Sequence, residues 1–264
     1  MTEFPPFEQI EGRHDLGLVL LGDHARNTLP PDYASLGLDR AVFARHIAYD
    51  IGVEALLRRL AERLEAPAVM STFSRLLIDP NRGEDDPTLV MKISDGAIIP
   101  GNHPISPAEI DARLNSFHRP YHLAVDDLIR SVGATTGRAP LVISLHSFTP
   151  VWRGDVRPWH AGVLWDSDPR VAIPLIDDLR SAGDIVVGDN EPYDGALRGD
   201  CMYRHCMVSG IPHALLEVRQ DLISDTEGVE EWANRLTPIF ASLNAMDSLH
   251  AFSIYPSRTG PYDH

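Results

Sequence analysis

The chain has 264 residues, 44% of them hydrophobic and 23% charged, the balance of a soluble globular protein with room for one large α/β domain. Its formal net charge of −15 argues against a nucleic-acid partner, which needs a basic face, and means that an anionic ligand needs a local arginine site. No apolar stretch reaches the roughly 20 residues that span a bilayer, and "MTEFPPFEQIEGRHD" lacks the apolar middle of a signal peptide, so no membrane partner is expected.

The first strong element is the apolar run Leu16–Leu21, a strand buried on both faces, which breaks off into Asp23, His24, Arg26 and Asn27. From Asp39 to Glu65, Val42, His46, Tyr49, Val53, Leu57, Leu60 and Leu64 recur at steps of three and four. That pattern predicts one helix capped by Asp39. "APAVMSTFSRLLID" is the next strand and "DPNRGEDDP" a turn-rich loop. "SPAEIDARLN" opens a long helix, with Ser106 as cap, Pro107 in the first turn and Glu109 completing a capping box. "APLVISLHSFTP" and "HAGVLWD" read as strands, Val171–Ala182 as a helix, and "DIVVGDN" and "HALLEVRQD" as strands. Ser224-x-x-Glu227 then starts a final long helix. No repeat, low-complexity tract or linker interrupts this alternation. Residues 1–264 therefore read as a single α/β domain, doubly wound, with a mostly parallel mixed sheet and helices on both faces. Cys201 and Cys206 are too few for a disulfide framework and read as free thiols in a reducing cytoplasm.

The strands end, at their carboxyl sides, in residues capable of chemistry: Asp23-His24, Ser74-Arg75 leading to Asp79-Pro80-Asn81-Arg82, His146-Ser147, Asp189-Asn190-Glu191, and Glu217-Val218-Arg219. In open α/β sheets ligands bind beyond those strand ends, so dispersed segments can converge there. Two histidines with an oxygen ligand form a catalytic zinc set that keeps a position open, and a further carboxylate can serve as general base. His24, His146 and Glu217 supply these residue types.

Together "GDHARN", "HIAYDIG", "FSRLLIDPNR", "LHSFTP", "GDNEPYD" and "LLEVRQDL" resemble, in family order from Leu16 to Leu222, the N-formylglutamate amidohydrolase family, which is similar in fold to the zinc carboxypeptidases. The resemblance implies one divalent metal, zinc, held by His24 and His146. The third ligand is either Asn27, three residues after the first histidine, or Asp23. Glu217 matches the general base, Asn81 and Arg82 the clamp for a substrate carboxylate, and Arg75 the arginine that polarises the scissile carbonyl. The reaction implied is hydrolysis of the formyl amide of N-formyl-L-glutamate or a similar small anionic N-acyl amino acid, giving formate and the free amino acid. A second arginine, Arg26, Arg153 or Arg157, is needed for a side-chain carboxylate, and the sequence does not single one out.

The remaining candidates have structural readings beside functional ones. Asp50 lies one helical turn from His46 and could orient it in support of the site. Tyr193 could donate to a substrate oxygen or pack in its loop. His160 begins a strand, at the end away from the site. His118 and His122 have an i,i+4 spacing that suits a metal but show no third ligand. Glu217 and Arg219 share a strand face and could simply pair.

Overall fold

The computed structural model describes residues 4–260. Seven strands form one mixed sheet: β1 (Phe7–Ile10), β2 (Leu18–Gly22), β3 (Ala68–Ser71), β4 (Leu141–Phe148), β5 (Ala161–Leu164), β6 (Val187–Asp189) and β7 (His213–Arg219). Their spatial order is β1-β3-β2-β4-β7-β5-β6. Strands β3, β2, β4 and β7 are mutually parallel, β1 runs antiparallel to β3, and the parallel pair β5–β6 runs antiparallel to β7.

The helices are α1 (Val53–Leu64), α2 (Pro107–Arg113), α3 (Arg119–Thr136), α4 (Pro169–Ser181), α5 (Cys201–His205) and α6 (Thr226–Asn244), with a π turn over Leu114–His118 joining α2 to α3. Leu18 and Leu20 of β2 pack with Leu57 and Leu60 of α1 and Leu236 and Phe240 of α6 in one core. Val19 and Leu21 pack with Tyr121, Val125 and Leu128 of α3 in another. A strand covered on both faces must be apolar at every position, which is why β2 reads as an unbroken run. Among the described residues no helix is long and apolar enough to cross a membrane.

The helix expected from Asp39 to Glu65 is two pieces. Asp39 does cap, accepting from the Ala41 amide at 2.8 Å, but the helix it starts is a short 3₁₀ segment, Arg40–Ala44. The α-helix begins only at Val53, after Gly52, whose φ is +85°. A Cβ on Gly52 would stand 2.1 Å from the Ile223 carbonyl oxygen, so only glycine lets the backbone turn against that segment. His46 and Asp50 therefore do not share a helix face. The interrupted segment instead carries Asp50 to the end of β2, where its amide donates to the His24 carbonyl at 2.9 Å.

Two further expectations shift. The last helix is capped by Asp225, which accepts from the Gly228 amide at 2.9 Å, while Ser224 donates to the Asp221 carbonyl. Strand β5 opposes β7, with Gly162 beside Glu217, so His160 lies near the carboxyl end of the parallel strands rather than away from it. Its Nδ1 accepts from the Val186 amide at 2.9 Å, which ties it to the backbone before β6.

Candidate active site

Beyond the ends of β2, β4 and β7 lies a cavity of about 240 Å³ whose lining includes His24, Asp50, Arg75, Arg82, His146 and Glu217. The strand pleat explains part of this list. His213, Leu215 and Glu217 alternate onto one face of β7, and His146 lies directly opposite Glu217 on the neighbouring strand β4.

His24, Asp50 and His146 present ligand atoms that all lie within 4.8 Å of one another, and all three side chains are buried. The far nitrogen of each imidazole is held by a carboxylate. His24 Nε2 is 2.7 Å from Asp79 Oδ1, and His146 Nε2 is 2.9 Å from Asp23 Oδ2. The near nitrogens both face Asp50 Oδ2, with His146 Nδ1 at 2.8 Å and His24 Nδ1 at 3.4 Å. When the rings are neutral and donate through Nε2, each has only a lone pair at Nδ1, which the carboxylate oxygen repels unless a cation stands between them. With no cation there, His146 answers both carboxylates only as an imidazolium, and against the effect of burial its hydrogen bonds to Asp23 and Asp50 raise it well above the ordinary histidine range. His24 Nδ1 is moreover buried with no hydrogen-bond partner. Two imidazole nitrogens and a carboxylate, each imidazole oriented by a second carboxylate, make a donor set that fits a divalent metal, zinc in particular.

The charges around the cluster favour a cation as well. Burial pushes the Asp23 carboxyl up, but the hydrogen bond and charge of His146 and the Tyr121 hydroxyl at 2.6 Å outweigh it and hold the group at about 2. Burial also opposes ionisation of Asp50 and Asp79, and there the histidines and Arg75 win, so both are held below the ordinary carboxylate range. Glu217 behaves differently. Burial and Asp50 push its carboxyl up to about 7 against the pull of the histidines and Arg75, and its Oε2 has no hydrogen-bond partner.

The chain matches the profile of the N-formylglutamate amidohydrolase family over residues 16–224. It belongs to that family. Among solved structures it resembles a gene product of Agrobacterium tumefaciens, with 30% identity and a TM-score of 0.85 over 91% of this chain and 95% of that one. It also resembles the N-formylglutamate amidohydrolase of Ralstonia eutropha, at 21% identity and a TM-score of 0.71 over 91% and 98% of the two chains. A bacteriophage poly-gamma-glutamate hydrolase shares the fold at 10% identity and a TM-score of 0.50, over 94% of each chain. No curated protein matches significantly. The fold is the α/β one expected from the order of elements, and it is zinc-carboxypeptidase-like as the family resemblance implied; the family marks the chain as a hydrolase acting on amides.

Within this amidohydrolase the oxygen ligand grouped with the two histidines comes from Asp50, and neither the Asp23 carboxylate nor the Asn27 amide belongs to that group. The chain turns immediately after Gly22. Asp23 thereby lies behind His146, where it accepts from Tyr121 and from Ser144 Oγ at 2.9 Å. Asn27 donates through Nδ2 to the Phe43 carbonyl at 2.6 Å, outside the cluster. Arg75 forks Asp79 Oδ2 through Nε and Nη2, at 3.1 and 2.7 Å, and its Nη1 stands 3.7 Å from Asp50 Oδ1. Asn81 accepts through Oδ1 from the Cys201 amide at 3.0 Å, which anchors it to the start of α5. Arg82 lines the cavity, with Nη1 on the Asn81 carbonyl and Nε 3.3 Å from Thr88 Oγ1. Tyr193 lines the cavity too, and its hydroxyl accepts from Arg157 Nη1 at 2.9 Å. Arg219 pairs with Asp221 at 2.8 Å rather than with Glu217.

Sequence reasoning left His118 and His122 without partners, and the fold supplies them. His122 Nδ1 is 2.7 Å from His205 Nε2, and His205 Nδ1 is 2.6 Å from Asp126 Oδ1. At the other end His122 Nε2 is 3.3 Å from His118 Nε2, which is 3.0 Å from the Arg82 carbonyl. The buried thiol of Cys201 joins His122 and His205 in a second group of ligand atoms within 4.8 Å. Burial lowers His118 to about 4 and lowers His122 further below the usual histidine range. An unfolded histidine takes its proton near 6.5, so the unfolded chain is protonated first and stability falls as pH drops from 6.5 towards 4. For His118 alone the loss reaches about 3 kcal/mol by pH 4. Urea unfolding at pH 7 and pH 5 should show this drop, and His118→Gln should flatten it. An equally steep drop in the variant would remove His118 from the account.

Proposed function

We propose that this amidohydrolase cleaves the formyl amide of an N-formyl amino acid, releasing formate and the free amino acid, and that it depends on one divalent metal, zinc. The observation that carries the reading is the convergence of His24, Asp50 and His146 in the same cavity as Glu217 and Arg82. His24 Nδ1, Asp50 and His146 Nδ1 would hold the metal, which supplies Lewis-acid polarisation of the formyl oxygen and lowers the pKa of water. Asp79 and Asp23 fix the tautomer and direction of the two rings.

Glu217 is the general base. It takes the proton of the attacking water and returns it to the departing amine nitrogen, a task suited to a carboxyl held near neutrality. Arg75, locked against Asp79, keeps Nη1 near the reacting centre and stabilises the negative charge that develops on the formyl oxygen. Arg82 holds the α-carboxylate, which in a formylated amino acid sits on the same carbon as the scissile amide nitrogen. The substrate is therefore a small anion, drawn into an otherwise acidic protein by local arginines.

The test is formate release from a panel of N-formyl and other N-acyl amino acids, run with metal analysis of the same preparation. Hydrolysis of N-formyl substrates with about one zinc per chain is expected, and activity confined to other acyl groups would overturn the substrate. Arg82→Lys keeps the charge but loses the planar fork, so KM should rise by about 10-fold or more, the value of a charge-assisted contact. Unchanged kinetics would reduce "DPNR" to a turn.

A further inference from the structure

Among the described residues, the arginines that line the cavity are Arg75 and Arg82. Arg75 is locked against Asp79, and Arg82 is the partner of the α-carboxylate. The three arginines left open for a side-chain carboxylate lie elsewhere. Arg26 forks Glu54 at 3.0 and 2.7 Å and reaches Glu8 at 2.6 Å. Arg153 is exposed at a hairpin turn, its guanidinium 5.5 Å from the Trp152 ring centre. Arg157 is buried with Nη1 on the Tyr193 hydroxyl at 2.9 Å, and it is not one of the residues that line the cavity.

The wall offers no other cation for a second carboxylate. Burial holds His46 and His213 below the ordinary histidine range. His213 Nδ1 donates to the Ile211 carbonyl at 2.8 Å, as a neutral ring does. The remaining charges outside the metal centre are acids. Asp166 and Asp194 pair with Arg258 at 3.1 and 2.5 Å, and Asp200 caps α5 by accepting from the Tyr203 amide at 2.7 Å.

Beside these groups the cavity has an apolar arm. Glu217, Leu215 and His213 follow one another on one face of β7 and all line the cavity, which therefore runs along the strand for about 13 Å. Leu164 lies directly opposite Leu215 on β5. Met202, from α5, and Met207 complete the wall, and all four apolar side chains are buried. The arm adjoins the anchor for the α-carboxylate. Asn81 accepts from the Cys201 amide, which ties the turn that carries Arg82 to the start of the helix that carries Met202.

An ionised carboxylate moved into this arm would lose its hydration with no cation to answer it. An apolar side chain would instead leave water for apolar walls, and the two methionines can adapt to its shape. We infer that the arm is the side-chain subsite, and that the preferred substrate is an N-formyl amino acid whose side chain is apolar and of methionine or leucine size. The inference rests on the deformylase reading and names its substrate class, which departs from the glutamate of the family's name. Arg82 holds the α-carboxylate, and Leu164, Met202, Met207 and Leu215 receive the side chain.

N-formylmethionine, N-formylglutamine and N-formylglutamate have side chains of nearly equal length, so formate release from the three separates polarity from size. Values of kcat/KM should fall in that order, with methionine ahead of glutamate by about 10- to 200-fold, the range over which an apolar pocket discriminates. Equal values, or a preference for glutamate, overturn the subsite. Met202→Ala shortens the wall, so the ratio of kcat/KM for N-formylmethionine to that for N-formylalanine should fall by about 10-fold. An unchanged ratio in the folded variant, which includes an equal loss on both substrates, removes Met202 and the arm from the account. If Met202→Ala does not fold, Met207→Ala is read in its place. Calorimetry with the released amino acids needs no turnover. Wild-type protein should bind methionine more tightly than glutamate, and Met202→Ala should narrow that preference. If the wild type releases formate from none of the substrates, the deformylase reading fails. The calorimetric comparison still decides the arm, and glutamate binding as tightly as methionine would overturn it.

Discussion

Replacing Glu217 by Gln should lower turnover by about 10²–10⁴-fold, the usual contribution of a positioned base, while metal content and substrate affinity stay close to those of the wild type. Gln keeps the shape of the side chain and loses only its basicity. Stability moves in a direction that separates this role from a structural one. Burial raises the folded-state value of Glu217 from its ordinary 4.5 to about 7, so the folded protein holds that proton more tightly than the unfolded chain does. The stability this contributes is complete below about 4.5 and is lost as pH rises through 7. At pH 8 the ionised Glu217 is therefore a burden on the fold, and the melting temperature of Glu217→Gln should equal or exceed that of the wild type. A residue that served only as a salt-bridge partner would behave in the opposite way, losing stability and keeping activity. The pairing of Arg219 with Asp221 already takes away the partner that shares its strand. Full activity in Glu217→Gln with metal retained would remove Glu217 from the mechanism.

The way Glu217 could be found in the sequence shows what was legible there. Strands β2, β4 and β7 are short, apolar and parallel, so Asp23, His24, His146 and Glu217 stand out as polar residues where burial is otherwise complete. Asp50 carries no such mark. It follows a stretch whose apolar residues recur with helical spacing, and local pattern places it beside His46 on a helix. What overrides the pattern is tertiary: the left-handed Gly52 pressed against Ile223, and the His24 carbonyl that receives the Asp50 amide. The glycine two residues after Asp50 was the available signal, because a glycine in the interior of a helix costs about 1 kcal/mol and asks for a reason. Strand direction was likewise beyond local reading. "HAGVLWD" has the same alternation whether it runs with β7 or against it, and only the antiparallel arrangement sets Gly162 beside Glu217. His122 finds its partner in α5, where His205 lies 83 residues further along the chain.

Asp50→Ala should abolish both metal binding and activity. Two imidazole nitrogens alone are fewer protein ligands than a catalytic zinc site uses. Asp23 and Asp79 are occupied with the far nitrogens of the same two rings. Metal analysis after dialysis should fall from about one equivalent per chain to a small fraction of that, with formate release at background. Asp23→Asn should act through His146 instead, leaving the ligand in place but freeing its ring, and weaken metal binding by about 10- to 100-fold. Asn27→Ala should keep its metal, since that amide serves the Phe43 carbonyl, and should cost about 1 kcal/mol of stability, the ordinary worth of one hydrogen bond. The order of effects carries the argument more firmly than any single variant. A general loss of folding would depress all three together, and melting temperatures measured on each would reveal it. A ligand role for Asp50 predicts metal loss that is nearly complete in Asp50→Ala, graded in Asp23→Asn and absent in Asn27→Ala. Retention of metal by Asp50→Ala together with its loss from Asn27→Ala would return the third ligand to the position three residues after His24.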